Sequence, residues 1–138
     1  MIRLARDEDA DALARLAGEL GYPSTADAIR ERMALLPPKD AVFVAEQDGD
    51  VVGWLHAGIM FSLESGAFAQ IAGLVVTESR RSSGIGAELV RAAEQWAREW
   101  KMNRVRVRTN VNRTRTHVFY ERCGFTHAKT SRVYEKSL

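Results

Sequence analysis

The amino-acid sequence predicts an α/β fold, a mixed sheet with helices on both faces. Three observations carry this. The 138 residues are 46% hydrophobic and 28% charged, the balance of one packed domain rather than a disordered or low-complexity chain. Runs with period-two and period-3.6 patterning follow one another in the order β-α-α-β-β-β-α-β-α-β. Asp48-Gly49-Asp50 joins two β-rich runs with the turn chemistry of a tight antiparallel hairpin.

Ile2 to Ala5 reads as a short first strand. Asp7 is placed to cap a helix over Glu8 to Leu20, where Leu13, Leu16, Ala17 and Leu20 share a face and Gly21 ends it. Ser24 or Thr25 caps a second helix carrying Ala28, Ile29, Met33 and Leu36, which stops at Pro37-Pro38. AVFVAEQ and VVGWLHAGIM form the hairpin, and AFAQIAGLVV a further strand ending near Thr77. From Gly84 to Trp100, Ile85, Leu89, Ala92, Ala93, Trp96 and Trp100 recur at helical spacing. Arg104 to Thr109 alternates as a strand, Thr114 to Cys123 reads as a short helix closed by Gly124, and Phe125 to Glu135 is expected to supply the last strand or strands.

Composition narrows the function classes. The longest apolar runs are four or five residues, too short to cross a membrane as a helix. The start, MIRLARDEDADAL, reads as neither a signal nor a transit peptide. Cys123 is the single cysteine, which excludes an internal disulfide and a multi-cysteine metal site. The expectation is one cytoplasmic domain over residues 1–138. The net charge of +2 divides unevenly, −6 over residues 1–100 and +8 over residues 101–138. A basic C-terminal quarter suits a phosphate-bearing ligand or nucleic acid.

Two stretches carry chemistry. In LVVTESRRSSGIGAELV a buried strand, Leu74 to Val76, runs through a polar loop into a helix that opens at Gly84 and Gly86. Helix starts expose unpaired N–H groups and partial positive charge, and glycines let backbone approach a phosphate closely. It is not a P-loop, which needs Gly-Lys-Ser/Thr, nor a dinucleotide fingerprint, which needs a third glycine. The second stretch runs from Asn112 to Phe125 and contains Phe119-Tyr120-Glu121-x-x-Gly124-Phe125.

Together, Arg81-x-x-Gly84-x-Gly86 and the Tyr120 motif some 34 residues on resemble the GCN5-related N-acetyltransferase (GNAT) superfamily. The resemblance covers nearly the whole chain, and the ending Ala128-Lys129-Thr130-Ser131 with Lys136-Ser137-Leu138 is similar to small bacterial members that acetylate small amines. It implies a mainly antiparallel sheet splayed in the middle. It further implies acetyl-CoA as cosubstrate, no metal, and a primary amine attacking the thioester directly through a tetrahedral intermediate. Leu74 and Val76, flanking Val75, would present main-chain groups to the pantetheine arm, with an N–H near Val75 or Val76 polarising the carbonyl. Arg81, Ser82, Ser83, Gly84, Ile85, Gly86 and Ala87 would hold the pyrophosphate. Asn112 stands near the family's asparagine, one residue further from the tyrosine than the commonest pattern, and Tyr120 matches the proton donor to the departing thiolate. Many small members of the superfamily dimerise, but no residue pattern here identifies a contact surface.

One departure matters. Where many members carry a basic glutamate, this chain has Gln70, which takes no proton. The base is open among Glu78, Glu64, Glu46 and His56.

Other residues read more plainly. His56, His117 and His127 lack metal-ligand spacing, His117 reads as a helix-surface or hydrogen-bonding residue, and Cys123 as a packed thiol. Trp54, Trp96 and Trp100 suit a core, with Trp54 the one best placed to face substrate. Arg104, Arg106 and Arg108 form a solvated or subunit-facing stripe. Two rival functions stand beside acetyl transfer. One is a nucleic-acid-associated protein, either acetylating aminoacyl-tRNA or binding RNA, motivated by the basic tail but lacking interleaved aromatics. The other is a catalytically silent acetyl-CoA sensor, motivated by Gln70.

Overall fold

A computed structural model describes all 138 residues, in two compact units, residues 1–107 and 108–138. The first unit runs β1 (Ile2–Leu4), α1 (Ala10–Glu19), α2 (Ala26–Ala34), β2 (Ala41–Gln47), β3 (Asp50–Ser62), β4 (Gly66–Val76), α3 (Ile85–Glu99) and β5 (Val105–Val107). The sheet order is β1-β2-β3-β4-β5, antiparallel throughout except for the parallel β4–β5 pair.

Local chemistry accounts for most element ends. The hairpin turns at Asp48 (φ 52°) and Gly49 (φ 83°), the paired left-handed residues of a two-residue turn matched to strand twist. Thr25 caps α2, its Oγ1 accepting from Ala28 N at 3.1 Å. The start of α1 differs from the expectation. Asp7 to Asp9 form a 3-10 turn before Ala10, and the buried Asp9 carboxylate accepts from Arg6 N at 2.7 Å and pairs with Arg3 at 2.8 Å. Acid in this first turn therefore ties β1 to the helix rather than capping it from outside.

Helices cover both faces because β3 alternates. Trp54 faces α1, its Nε1 donating to Leu13 O at 3.3 Å. Its neighbour Gly53 faces α3, where an added Cβ would lie 3.4 Å from Leu89. Leu13, Leu16, Val44, Val51 and Val75 make the core beneath α1, while Leu89 and Val90 are wholly buried from α3. Each such side chain contributes about 1.5–3 kcal/mol by leaving water.

Two features of β4 shape its surroundings. Gly73 pairs with His56 but Ile71 with Ala57, so Ala72 is an extra residue and the strand bulges there. Strand β5 pairs only with Ala69, Gln70 and Ile71, which leaves Ala72–Val76 without a strand partner on that side. Pairing between the last two strands of the sheet thus ends at the bulge, and the sheet is open from there onward on that side.

The second unit holds α4 (Thr114–Arg122), ended by Gly124 at φ 94°. The strand expected over Phe125 to Glu135 is absent. Phe125 is half-buried, but every residue from Thr126 onward is exposed, including Val133 and Tyr134. With no apolar face to bury, the backbone of this stretch meets its hydrogen-bonding needs in water rather than in a ladder.

Candidate active site

The loop after β4 is built to face an anion. Ser82 (φ 66°) and Gly84 (φ 88°) both take left-handed backbone, curving the chain into the start of α3. No side chain caps that helix, and the first helical amide bonded back to it is Glu88 N, to Gly84 O at 3.1 Å. The amides of Ile85, Gly86 and Ala87 therefore point out of the helix start, at its positive end. A Cβ at Gly84 would meet nothing within 4 Å, so the approach is open.

The loop's side chains hold its shape. Arg81 Nε donates to Val76 O at 3.1 Å, Ser83 Oγ donates to Arg80 O, and Arg80 Nη1 donates to Gln47 Oε1 at 2.7 Å. Glu19 of α1 clamps the other end, accepting from Thr77 Oγ1 and Glu78 N, each at 3.0 Å. Leu74 and Val76 lie on the α3 face and Val75 on the α1 face, where it is buried; all three belong to the stretch whose main chain β5 does not pair. The sequence-predicted residues from Leu74 to Ala87 are thus one continuous surface, a free strand edge leading into a helix start.

Between α1, α2 and the sheet lies a cleft of about 610 Å³, which reaches β4 at Ala72 and Gly73. Its walls are mostly apolar, with Leu13, Leu20, Met33 and Trp54 prominent, and no carboxylate lines it. Arg32, with Nη1 donating to Ser24 Oγ at 3.1 Å, brings the only full positive charge. His56 also lines the cleft, its Nε2 2.8 Å from Asp40 Oδ2.

Of the four candidate bases, three lie elsewhere. Glu46 accepts from Arg3 at 3.1 Å, and Glu64 and Glu78 are exposed in the connections after β3 and β4. Gln70 pairs with Gly58, which the bulge returns to the cleft face of the sheet. Asp40 and Arg32 were not legible as site residues. Asp40 follows a proline break and Arg32 sits on a weakly amphipathic helix, so neither has a pattern of its own. The alternation of Trp54, His56 and Gly58 along one strand face was the available signal.

Along the arginine stripe Arg104 and Arg108 are exposed and Arg106 is half-buried. Arg104 and Arg106 stack on Phe68, their guanidinium carbons 5.1 and 4.4 Å from the ring centre, and so contact their own sheet.

In the second unit Tyr120 is buried, edge-on to Phe119 and Phe125 at 5.0 and 5.5 Å between ring centres. Burial, and then the neighbouring Cys123, push its phenol well above the ordinary tyrosine value. Asn112 is exposed, its backbone N–H donating to Asn110 Oδ1 at 2.9 Å, and His117 Nε2 lies 2.9 Å from Asn110 O.

Comparison with known proteins bears on these features. Residues 7–125 match the Acetyltransferase (GNAT) family. An aminoalkylphosphonate N-acetyltransferase of Salmonella typhimurium is 31% identical over 130 residues, spanning 90% of this chain and 83% of its own length. A type 1 aminoglycoside N(6')-acetyltransferase of Stenotrophomonas maltophilia is 30% identical, spanning 96% of this chain and 88% of its own. The crystal structure of an aminoglycoside antibiotic 6'-N-acetyltransferase from Acinetobacter haemolyticus shares the fold, with a TM-score of 0.87 at 22% identity over 100% of this chain and 99% of that one.

Proposed function

Because the chain belongs to the GNAT family of acetyltransferases, we propose that it moves the acetyl group of acetyl-CoA to a primary amine on a small molecule. The observation that carries this reading is the continuity of the free β4 edge with the uncapped start of α3, ending at the mouth of the cleft. Acetyl-CoA supplies an activated thioester.

The residues fit that cosubstrate. Backbone amides from Arg81 to Ala87 hold the pyrophosphate, and the left-handed Gly84 lets it come close. The main-chain groups of Leu74 and Val76 on the side β5 leaves unpaired, apart from the Val76 carbonyl that Arg81 holds, hydrogen-bond the amides of the pantetheine arm as a neighbouring strand would. An N–H at Val75 or Val76 polarises the thioester carbonyl, and the Tyr120 hydroxyl gives a proton to the leaving thiolate. Asn112 is carried as a cosubstrate contact from the family pattern. Residues 1–138 serve as one acetyltransferase domain.

The cleft takes the acceptor. Its apolar walls, its single Arg32 and its lack of lining carboxylates suit a compact monoamine with an uncharged or anionic body better than a polycation. The relatives above span both kinds, an aminoalkylphosphonate and aminoglycosides. The test is thiol release from acetyl-CoA with an alkyl monoamine, an aminoalkylphosphonate and an aminoglycoside, with mass measurement of the product. Acetylated amine is expected, with the monoamines ahead of the aminoglycoside. Absence of acetylated product from every amine would overturn the reading.

A further inference from the structure

Two titratable side chains from separate elements meet at the cleft. Asp40, just before β2, has its carboxylate 10% exposed, and His56, on β3, has its ring 28% exposed. Asp40 is seated over Gly58, where an added Cβ would lie 3.0 Å from Oδ1. A carboxylate only accepts, so the 2.8 Å contact puts the imidazole proton on Nε2 and the lone pair on Nδ1. A sunken carboxylate behind an imidazole that opens to a cleft is an arrangement that orients a base and steadies its charged form.

The position along the sheet is equally telling. His56 pairs with Gly73, where the free edge of β4 begins, and Gln70 pairs with Gly58 on the same face. The other elements around the cleft bring no second imidazole and no carboxylate to its lining. From α1 come Leu13 and Ala17, from α2 the cation Arg32, from the connection between them Tyr22, and from β2 Val42. On β5, Arg106 beside Gln70 is stacked on Phe68.

We infer that His56, positioned by Asp40, takes the proton of the attacking amine, in place of the glutamate that Gln70 replaces. This rests on the acetyl-transfer reading. The amine nitrogen forms the C–N bond as the C–S bond breaks, and the bonding pair leaves with sulfur. The amine proton passes to Nδ1 and the thiolate takes a proton from Tyr120; the imidazolium held against Asp40 then gives its proton to water as Tyr120 regains one from water, so no net proton is released.

The experiment is the pH profile of kcat/KM for two acceptor amines whose pKa values differ by about two units. The rising limb is expected at one pH for both, because the enzyme and not the amine then owns the titrating group. In His56→Gln that limb should vanish and kcat fall by about 10²–10⁴, with acetyl-CoA affinity kept within about twofold. In Asp40→Asn kcat should fall while the amine KM and acetyl-CoA affinity hold, because the imidazolium loses its anionic partner; a packing role alone would not separate kcat from KM. A wild-type limb that follows each amine's own pKa overturns the assignment, and needs no variant to fold. So does a folded His56→Gln that keeps the common limb. Failure of the wild type to acetylate any amine is the separate result that sinks acetyl transfer itself, and this assignment with it.

Discussion

The Trp54 indole lies across Gly73 so closely that a Cβ at residue 73 would sit 3.0 Å from Cζ3 and 3.1 Å from Cη2. The contact joins the cleft wall to the β4 bulge, and the ring is anchored at its far side by the bond to Leu13 O. Backbone strain is not the reason for glycine here, since Gly73 is not among the positive-φ residues.

Gly73→Ala should therefore act through the ring. The indole must swing away, which loosens the Leu13 bond and reshapes the cleft. A rise in acceptor KM of several-fold is expected, with acetyl-CoA affinity unchanged and stability lowered by about 1 kcal/mol or less. Steady-state kinetics and urea unfolding check both halves.

Gly84→Ala tests the anion-facing loop. An L-residue at φ 88° carries a strain of about 1–3 kcal/mol, which the pre-formed curve of the loop would have to absorb. Acetyl-CoA affinity should fall at least tenfold by calorimetry. Gly49→Ala, at φ 83° in the hairpin turn, is the control: comparable strain, unchanged affinity.

Tyr120→Phe separates chemistry from packing. Burial keeps the phenol protonated through neutral and mildly alkaline pH, so the hydroxyl is a donor across the working range. Turnover should fall by about 10²–10⁴ while acetyl-CoA binding holds. A loss below about twofold, measured where chemistry limits the rate, would return Tyr120 to a packing role.

Acid stability should depend on Asp9. Its hydrogen bonds from Arg3, and then from Arg6 N, hold the carboxyl below its ordinary value of 3.8 despite burial. A depressed folded pKa stabilises the fold above the unfolded value, and that share is lost as pH falls through the folded one. Asp9→Asn leaves Arg3 with Glu46 as its remaining carboxylate partner and should cost about 1.5–3 kcal/mol at neutral pH, the worth of a hydrogen bond to a charged group. It should also flatten the fall in stability below pH 3.8, read by urea unfolding across the acid range.

Local signals carried the first unit well. The left-handed pair Asp48-Gly49, the Thr25 cap and the glycine opening of α3 are short-range chemistry, and each stands where the sequence puts it. The final strand failed because alternation cannot create a partner: Thr126 to Leu138 bury nothing. The cleft was half-legible. His56 was a named candidate, but Asp40, which bonds its ring, and Arg32, on the cleft wall, share no period with β3, and only the fold places them there. The stretch Leu74 to Ala87 was legible as a unit because strand, loop and helix start are contiguous in the chain.

The splayed strand has a consequence for handling the protein. Ala72 to Val76 contains no charge and no proline, the usual gatekeepers of a sheet border. On the acetyl-transfer reading proposed above, acetyl-CoA would lie there as a removable sixth strand, and the backbone groups left open without it would be free to recruit another polypeptide. Selection for an open docking rail thus works against colloidal stability. Light scattering during storage should rise faster without acetyl-CoA than with it, and an arginine at the exposed Ala72 should slow that rise at the expense of cosubstrate affinity.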